Sequence, residues 1–405
     1  MNRERAMVTP DDLDLGLVAQ SFRSEIRQWL SDNVPPGLID VDPESATPTQ
    51  TAELQKWADQ LYRAGYMGIT WPEEYGGRGL SAIEVSVMNE EFDRARVARM
   101  TRGVGEWLVA PAILKWGTES QKQRLLPRIL DGTDVYCQGF SEPGAGSDLA
   151  ALSTVGRTEG DELVITGQKL WTSGATRANM LFCLCRTDPA APRHRGITYV
   201  LVPMRVPDGS FNGMELNPIR QMTGEADFTA TFLDAARAPL DNVIGGLNNG
   251  WQVTMTTLGS ERGGSVTTQH VPFAKEFWQA VEIARKTGAV EDSRVRQQLA
   301  WAFTQVEIMR YQGLATLGDV LTGKESDVRA SINKMFWSEY SQAFLDRVAN
   351  IRGAEAMLLP AQPADSYEPD NWTRNMLQSR SSTIWGGTAE VQRNIVAERV
   401  LGLPR

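Results

Sequence analysis

The sequence predicts an α+β chain in which a helical part comes first, a β part is set in the middle, and a helical bundle closes. Three changes of period carry this reading. Apolar residues recur about every four positions up to roughly residue 132, alternate every two from about 133 to 240, and return to helical spacing from Trp251. The expected domains are therefore 1–132, 133–240 and 241–405. A length of 405 residues allows two or three domains with a large core, and 41% hydrophobic with 22% charged residues fits a globular protein.

In the first part, Phe22, Ile26, Leu30 and Val34 form a helical stripe that Pro35-Pro36 stops. Leu54, Trp57 and Leu61 mark a second helix, and Pro72 with Gly76-Gly77 breaks the chain after it. Ser81 with Glu84, and Thr118 with Gln121, have the spacing of capping boxes. The second of these opens a helix over 119–130.

Strands are predicted at 163–166, 180–184, 197–202 and 227–233, with Glu159-Gly160-Asp161 as a hairpin turn. Cys183 and Cys185 alternate within one apolar run and should share a face. With Cys137 they make three cysteines, a count that favours buried thiols in a reducing compartment over disulfides. The only histidines, His194 and His270, leave little for a histidine-rich metal site.

The closing part repeats the helical pattern. Val295, Leu299, Phe303, Val306 and Met309 form one stripe, and Val328, Ile332, Phe336, Tyr340, Phe344 and Val348 another, with Ser326 as its expected N-cap. These read as bundle core. A last helix is expected from near Thr388 to Gly402. The net charge of −9 disfavours nonspecific nucleic-acid binding, although a local basic pocket for a phosphate is compatible with it. The first residues lack the apolar core of a signal peptide and no window reaches membrane-helix length, so the cytoplasm is the expected compartment.

Three stretches stand out against this frame. Tyr136 to Asp148, YCQGFSEPGAGSD, runs from a strand into a glycine-rich turn. Glycines there let a backbone approach a flat or charged ligand, and free N–H groups in such turns hold ring carbonyls or phosphates. A plain Pro-Gly turn fits the same residues. Trp171-Thr172-Ser173 follows about two strands later, with a face for stacking and two hydroxyls. Ile384 to Ile395, IWGGTAEVQRNI, is the third.

The three motifs in this order resemble the acyl-CoA dehydrogenase family across most of the chain. The resemblance implies an N-terminal helical domain, a middle β-barrel or sandwich, and a C-terminal four-helix bundle. It also implies FAD, oxidation of an acyl-CoA to its 2,3-enoyl form, electron-transfer flavoprotein as acceptor, and a homo-dimer or homo-tetramer, with a hetro-oligomer of unlike subunits as a further expectation. A base would take the α-proton while a hydride leaves the β-carbon. From the first motif it places Phe140, Ser141, Gly146 and Ser147 at the flavin, with Ser141 bonding the ring and Ser147 also near the acyl-CoA. From the second it places Trp171, Thr172 and Ser173 there, and from the third Thr388 and Glu390 toward the adenylate. Thr388 also reads as a plain N-cap, and Glu390 stands where relatives often carry Gln.

Many relatives place their catalytic Glu immediately before the Gly-Thr of the closing motif, where this chain has Gly386. A smaller set of relatives carries the base on an earlier helix, which matches Trp251 to Gln269 here. The matching residue is Glu261, and the match makes Arg262 a substrate contact. Read without the family, Trp251, Met255, Leu258 and Val266 form one face with Arg262 in its middle and Glu261 at its edge. An arginine in an apolar stripe calls for an anion or a wet cavity, but a surface Glu-Arg pair on a fraying helix fits as well. Gly259, Gly263 and Gly264 make the stretch a poor helix former. Two further departures, Ala284 to Val290 without a Phe-Gly and Ile351-Arg352-Gly353-Ala354 in place of a Gly-Gly stretch, fall where relatives meet a neighbouring subunit's FAD. A flavin oxidase or monooxygenase, and a partner subunit of a mixed oligomer, are the other functions the sequence leaves open.

Overall fold

The computed structural model describes residues 16–43, 46–263, 267–322, 327–360 and 367–404, and within these the side chains of 16–18, 261–263, 320–321 and 327–328 fall outside the description. The chain forms two compact units, Met1–Met100 and Thr101–Arg405.

The first unit holds α1 (Gly16–Asn33), α2 (Pro48–Arg63) and α3 (Ala82–Arg94). The predicted stripes are its core: Phe22, Ile26 and Leu30 of α1 are buried, as are Leu54, Trp57 and Leu61 of α2. The Ser81–Glu84 capping box is formed, and a second, Thr47 with Gln50, opens α2. Glu91 of α3 is 1% exposed and accepts from Arg23 Nη1 at 3.0 Å and from Arg27 Nε and Nη2 at 2.8 Å each. Burial works against its charge, but the hydrogen bonds of Arg27 and Arg23 outweigh it and hold the carboxyl below its ordinary range. Removing one partner of a buried pair strands the other charges. Glu91→Ala should therefore destabilise this unit by about 2–3 kcal/mol, read as loss of the stacked Trp29–Trp57 signal at lower denaturant in near-ultraviolet circular dichroism.

The second unit begins with a π-turn, Gly105–Val109, leading into α4 (Ala110–Trp116) and α5 (Glu119–Leu130), the latter with the predicted Thr118–Gln121 box. Gln121 Nε2 donates to the carbonyls of Asp241 and Val243 at 2.9 Å, which ties α5 to the sheet. The strands are β1 (Tyr136–Gly139), β2 (Val155–Glu159), β3 (Glu162–Ser173), β4 (Met180–Arg186), β5 (Ile197–Pro203), β6 (Met214–Ile219), β7 (Phe228–Pro239) and β8 (Val243–Ile244). They make one mixed sheet in the order β6-β7-β3-β2-β4-β5-β8, with β1 parallel to β4. Inward residues of β1, β3, β4, β5 and β7 meet in a single core that includes Cys137, Ile165, Cys183, Val200 and Ala236. The three thiols are free and buried, Cys183 and Cys185 on the expected common face, and burial pushes all three above the ordinary thiol range. β2, β6 and β8 were not predicted; β2 is mostly exposed and β8 only two residues long, so neither carries a strong periodic signal.

Helices return with α6 (Gly250–Gly263), α7 (His270–Lys286), α8 (Ser293–Leu321), α9 (Asp327–Arg352), α10 (Asn371–Ser382) and α11 (Ala389–Ile395), the last continued by a π-turn to Val400. Tyr340 is the hub of the bundle core, with Phe273 at 5.4 Å, Phe344 at 5.3 Å and Trp301 at 5.6 Å. Ile332, assigned to the core stripe, is 37% exposed instead. The expected N-cap Ser326 lies outside the described residues. Among the described residues no helix is long and apolar enough to cross a membrane, and no metal-ligating cluster occurs.

Candidate active site

The first two motifs come together on the β sheet. Phe140 follows β1 and is buried edge-on between Phe182 and Tyr199, so its ring is core. Ser141 is half-buried, and its carbonyl accepts from Leu170 N at 2.9 Å, which sets it one residue from Trp171 across the strands. Gly144, Gly146 and Ser147 lie on an exposed turn closed by the paired backbones of Glu142 and Ala145. A side chain added at Gly144 or Gly146 would meet nothing within 4 Å.

Trp171 owes its position to a fault in the ladder. The β3–β7 register shifts between Lys169 and Thr172, and Trp171 takes φ +63°. For a bulky residue that conformation is strained, and surrounding structure must hold it. The bulge leaves the indole 54% exposed, touching Phe228 edge to face at 6.0 Å. Thr172 beside it is fully buried, and its hydroxyl has no hydrogen-bond partner in the protein, while Ser173 is exposed.

Sequence reading passed over what holds these pieces. Glu142 of the first motif is buried and accepts from Ser153 N (2.7 Å), Ser153 Oγ (2.7 Å), Thr154 N (2.9 Å) and Lys169 Nζ (2.8 Å). Burial opposes its charge, but Lys169 and the donors around it prevail and bring the carboxyl down to about 2. The signal was present: alternation from Leu163 and Ile165 carries Lys169 to the inward face, where a lysine needs an anion.

Glu261 and Arg262 lie, by backbone, in the last turn of α6. Among the described side chains of this helix Val253, Thr254 and Thr257 are fully buried, while Trp251, Met255 and Leu258 of the predicted face are only half-buried. Val266 lies outside the described residues. The buried stripe is thus threonine-rich, and each hydroxyl has a backbone acceptor: Thr254 donates to Gly250 O at 2.7 Å and Thr257 to Leu108 O at 3.5 Å. Trp116 Nε1 donates to Thr256 Oγ1 at 2.9 Å, and His194 packs on Trp251 at 4.6 Å. His270, at the start of α7, is held down at about 4 by burial and by Arg310.

Close packing fixes the helix start. A Cβ on Gly250 would fall 2.4 Å from Tyr199 N and 2.5 Å from the Thr198 carbonyl carbon. Gly250→Ala must push α6 off β5, and overpacking of this kind costs about 1–3 kcal/mol. The variant should be less stable than wild type by that amount, checked by denaturant unfolding.

Thr388 is the N-cap of α11, its hydroxyl accepting from Val391 N at 3.2 Å. Glu390 in the same turn is bonded by its own backbone N–H and by Thr388, which lower its carboxyl. Gly386 and Gly387 have φ of +65° and +88°. The two stretches where relatives meet a neighbour's cofactor are engaged within the chain: Arg285 pairs with Glu282 at 2.8 Å, and Arg352 grips Asp370 with two bonds of 3.0 and 2.7 Å.

Comparison with known proteins agrees with this arrangement. The N-terminal, middle and C-terminal acyl-CoA dehydrogenase domain models match residues 18–133, 137–234 and 248–401. Acyl-CoA dehydrogenase IpdE1 of Mycobacterium tuberculosis is 39% identical over 95% of this chain and 98% of its own. The chain belongs to the acyl-CoA dehydrogenase family. This acyl-CoA dehydrogenase is also 38% identical to IpdE1 of Mycolicibacterium smegmatis, with 95% and 98% of the two chains covered. Among solved structures, the Tcur3481-Tcur3483 steroid ACAD aligns with a TM-score of 0.79 at 31% identity over 96% of this chain and 98% of that one. The ChsE4-ChsE5 complex from Mycobacterium tuberculosis aligns at 0.78 and 29% over 99% and 100%. The helical, β and helical order predicted from the sequence is the family's fold.

The enzyme is an oxidoreductase acting on a CH–CH bond, and its cofactor is FAD. The local structure fits such a group: an exposed indole, an unpartnered hydroxyl on buried Thr172, and open space above Gly144 and Gly146 suit a flat polar ring.

Proposed function

We propose that this acyl-CoA dehydrogenase oxidises a CoA thioester with Glu261 as the base. The observation that carries the reading is the pair of left-handed glycines in the closing motif. Gly386 occupies the position at which many relatives have their Glu, and its φ of +65° would strain a glutamate there. A carboxylate is needed elsewhere, and the last turn of α6 offers Glu261.

When bound, FAD would supply the acceptor for the hydride that leaves the β-carbon. The chain's own residues do the rest. Glu261 takes the α-proton, and Arg262 contacts the substrate. The backbone at Phe140, with Ser141, Gly146, Ser147, Trp171, Thr172 and Ser173, would hold the flavin, with Ser147 on the acyl-CoA side. Thr388 and Glu390 would stand toward the adenylate, where Glu390 already engages its own N–H and the Thr388 hydroxyl. A carboxylate base suits this step when its pocket excludes water and raises its pKa. Electron-transfer flavoprotein is the acceptor in this reading, and the cytoplasm the compartment.

The partner is an unlike subunit or a second copy. Exposed Met357, Leu358 and Leu359 form a run at 82%, 65% and 48% exposure, and Ile384, Trp385 and Leu401 are exposed as well. Exposed apolar residues of this kind would suit an interaction face. The solved relatives named above each pair two different chains, and this favours the mixed oligomer.

The test is a panel of CoA thioesters differing in length, branching and ring content, mixed anaerobically with the purified yellow protein. Bleaching of the flavin by some of them is expected. A flavin that no thioester bleaches, in the chain alone and with an unlike subunit, would reject the reading.

A further inference from the structure

We infer that Glu142 and Lys169 are positioning residues that set the flavin-side turn against Trp171. The inference rests on the flavin site proposed above. Both side chains are buried, Lys169 at 0% and Glu142 at 6% exposure. The carboxylate gathers Ser153 N, Ser153 Oγ and Thr154 N, and receives Lys169 Nζ at 2.8 Å. The ammonium donates onward to Phe140 O at 3.2 Å. One ion pair thus joins three stretches: the chain leaving β1, the chain entering β2, and β3 where its ladder shifts. Leu170 N to Ser141 O adds a fourth strut.

Everything exposed in the first two motifs hangs between these struts. Gly144, Gly146 and Ser147 lie on the turn that the carboxylate closes at both ends, and Trp171 follows Lys169 by two residues. Core burial alone does not account for the pair, because well-packed apolar residues replace buried ion pairs at little or no loss of stability. Apolar residues cannot, however, hold a carbonyl and two backbone N–H groups at fixed separations. The strained φ of Trp171 needs such over-determination, since a single strut would let the bulge relax. The pair touches no reacting atom in this account; it acts through the placement of Ser141 and Trp171.

The experiment replaces both charges at once, as Glu142→Leu with Lys169→Met, so that no buried charge is stranded. Apoprotein of the variant and of wild type is titrated with FAD, and the visible circular dichroism of the bound flavin and the thermal unfolding of the apoprotein are recorded. Expected are a folded apoprotein with a lowered melting temperature, since the Thr154 N–H and the Phe140 carbonyl lose these partners, FAD affinity at least tenfold weaker, and an altered flavin dichroism band. Wild-type affinity and dichroism in the variant would overturn the inference. A variant that no longer folds would overturn it too, by making the pair a plain requirement of the core. Wild-type apoprotein that takes up no FAD would instead strike at the flavin site itself.

Discussion

Glu261→Gln is expected to keep its FAD and lose acyl-CoA-dependent flavin reduction by roughly two to four orders of magnitude, the usual contribution of a positioned general base. Glutamine preserves size and hydrogen bonding but cannot take a proton. The loss should appear in the rate of flavin reduction and leave thioester binding largely intact, because binding of the ground state does not use the proton transfer. Rapid-mixing absorbance of the reduced and oxidised flavin separates the two. A variant that reduces its flavin at the wild-type rate removes Glu261 from the mechanism.

Lys169→Met alone should destabilise the second unit by about 3–5 kcal/mol, the cost of stranding a buried charge. Glu142 would keep its bonds from Ser153 and Thr154 but lose the positive charge of Lys169 beside it. Denaturant unfolding of wild type and variant at neutral pH measures the difference. The pH dependence follows from the direction of the Glu142 shift. Its folded value is lowered to about 2, against about 4.3 for an unfolded glutamate. The contribution of the pair is therefore complete above the unfolded value and is lost as pH falls through about 2. The gap between wild type and Lys169→Met should narrow across that window. A gap that is constant from neutral pH to acid would mean that the lysine stabilises by packing alone.

The helical and β parts were legible because their periods differ and their cores are strongly apolar. α3 and α5 were legible even at their first residues, since the Ser81–Glu84 and Thr118–Gln121 boxes are formed. The face of α6 was misread for a physical reason. Threonine looks polar in a sequence, yet Thr254 and Thr257 are fully buried because their hydroxyls bond backbone carbonyls. The motif segments were found through their glycines and aromatics, while Glu142 and Lys169 were missed because each looks like a surface charge until the strands are folded together. The strain at Trp171 could not be read from the chain at all, because a bulge is a property of two paired strands and not of one. α7 and α10 were passed over as well, and α7 still buries Phe273, Phe277 and Val281.

The most direct check on Glu261 as the base is deuterium exchange at the α-carbon. Wild type and Glu261→Gln, both loaded with FAD, are incubated without oxygen in D2O with a CoA thioester that bleaches the wild-type flavin, and the recovered thioester is weighed by mass spectrometry. Deuterium entering next to the thioester carbonyl with wild type and not with the variant is the predicted result. Equal incorporation with both proteins would contradict it.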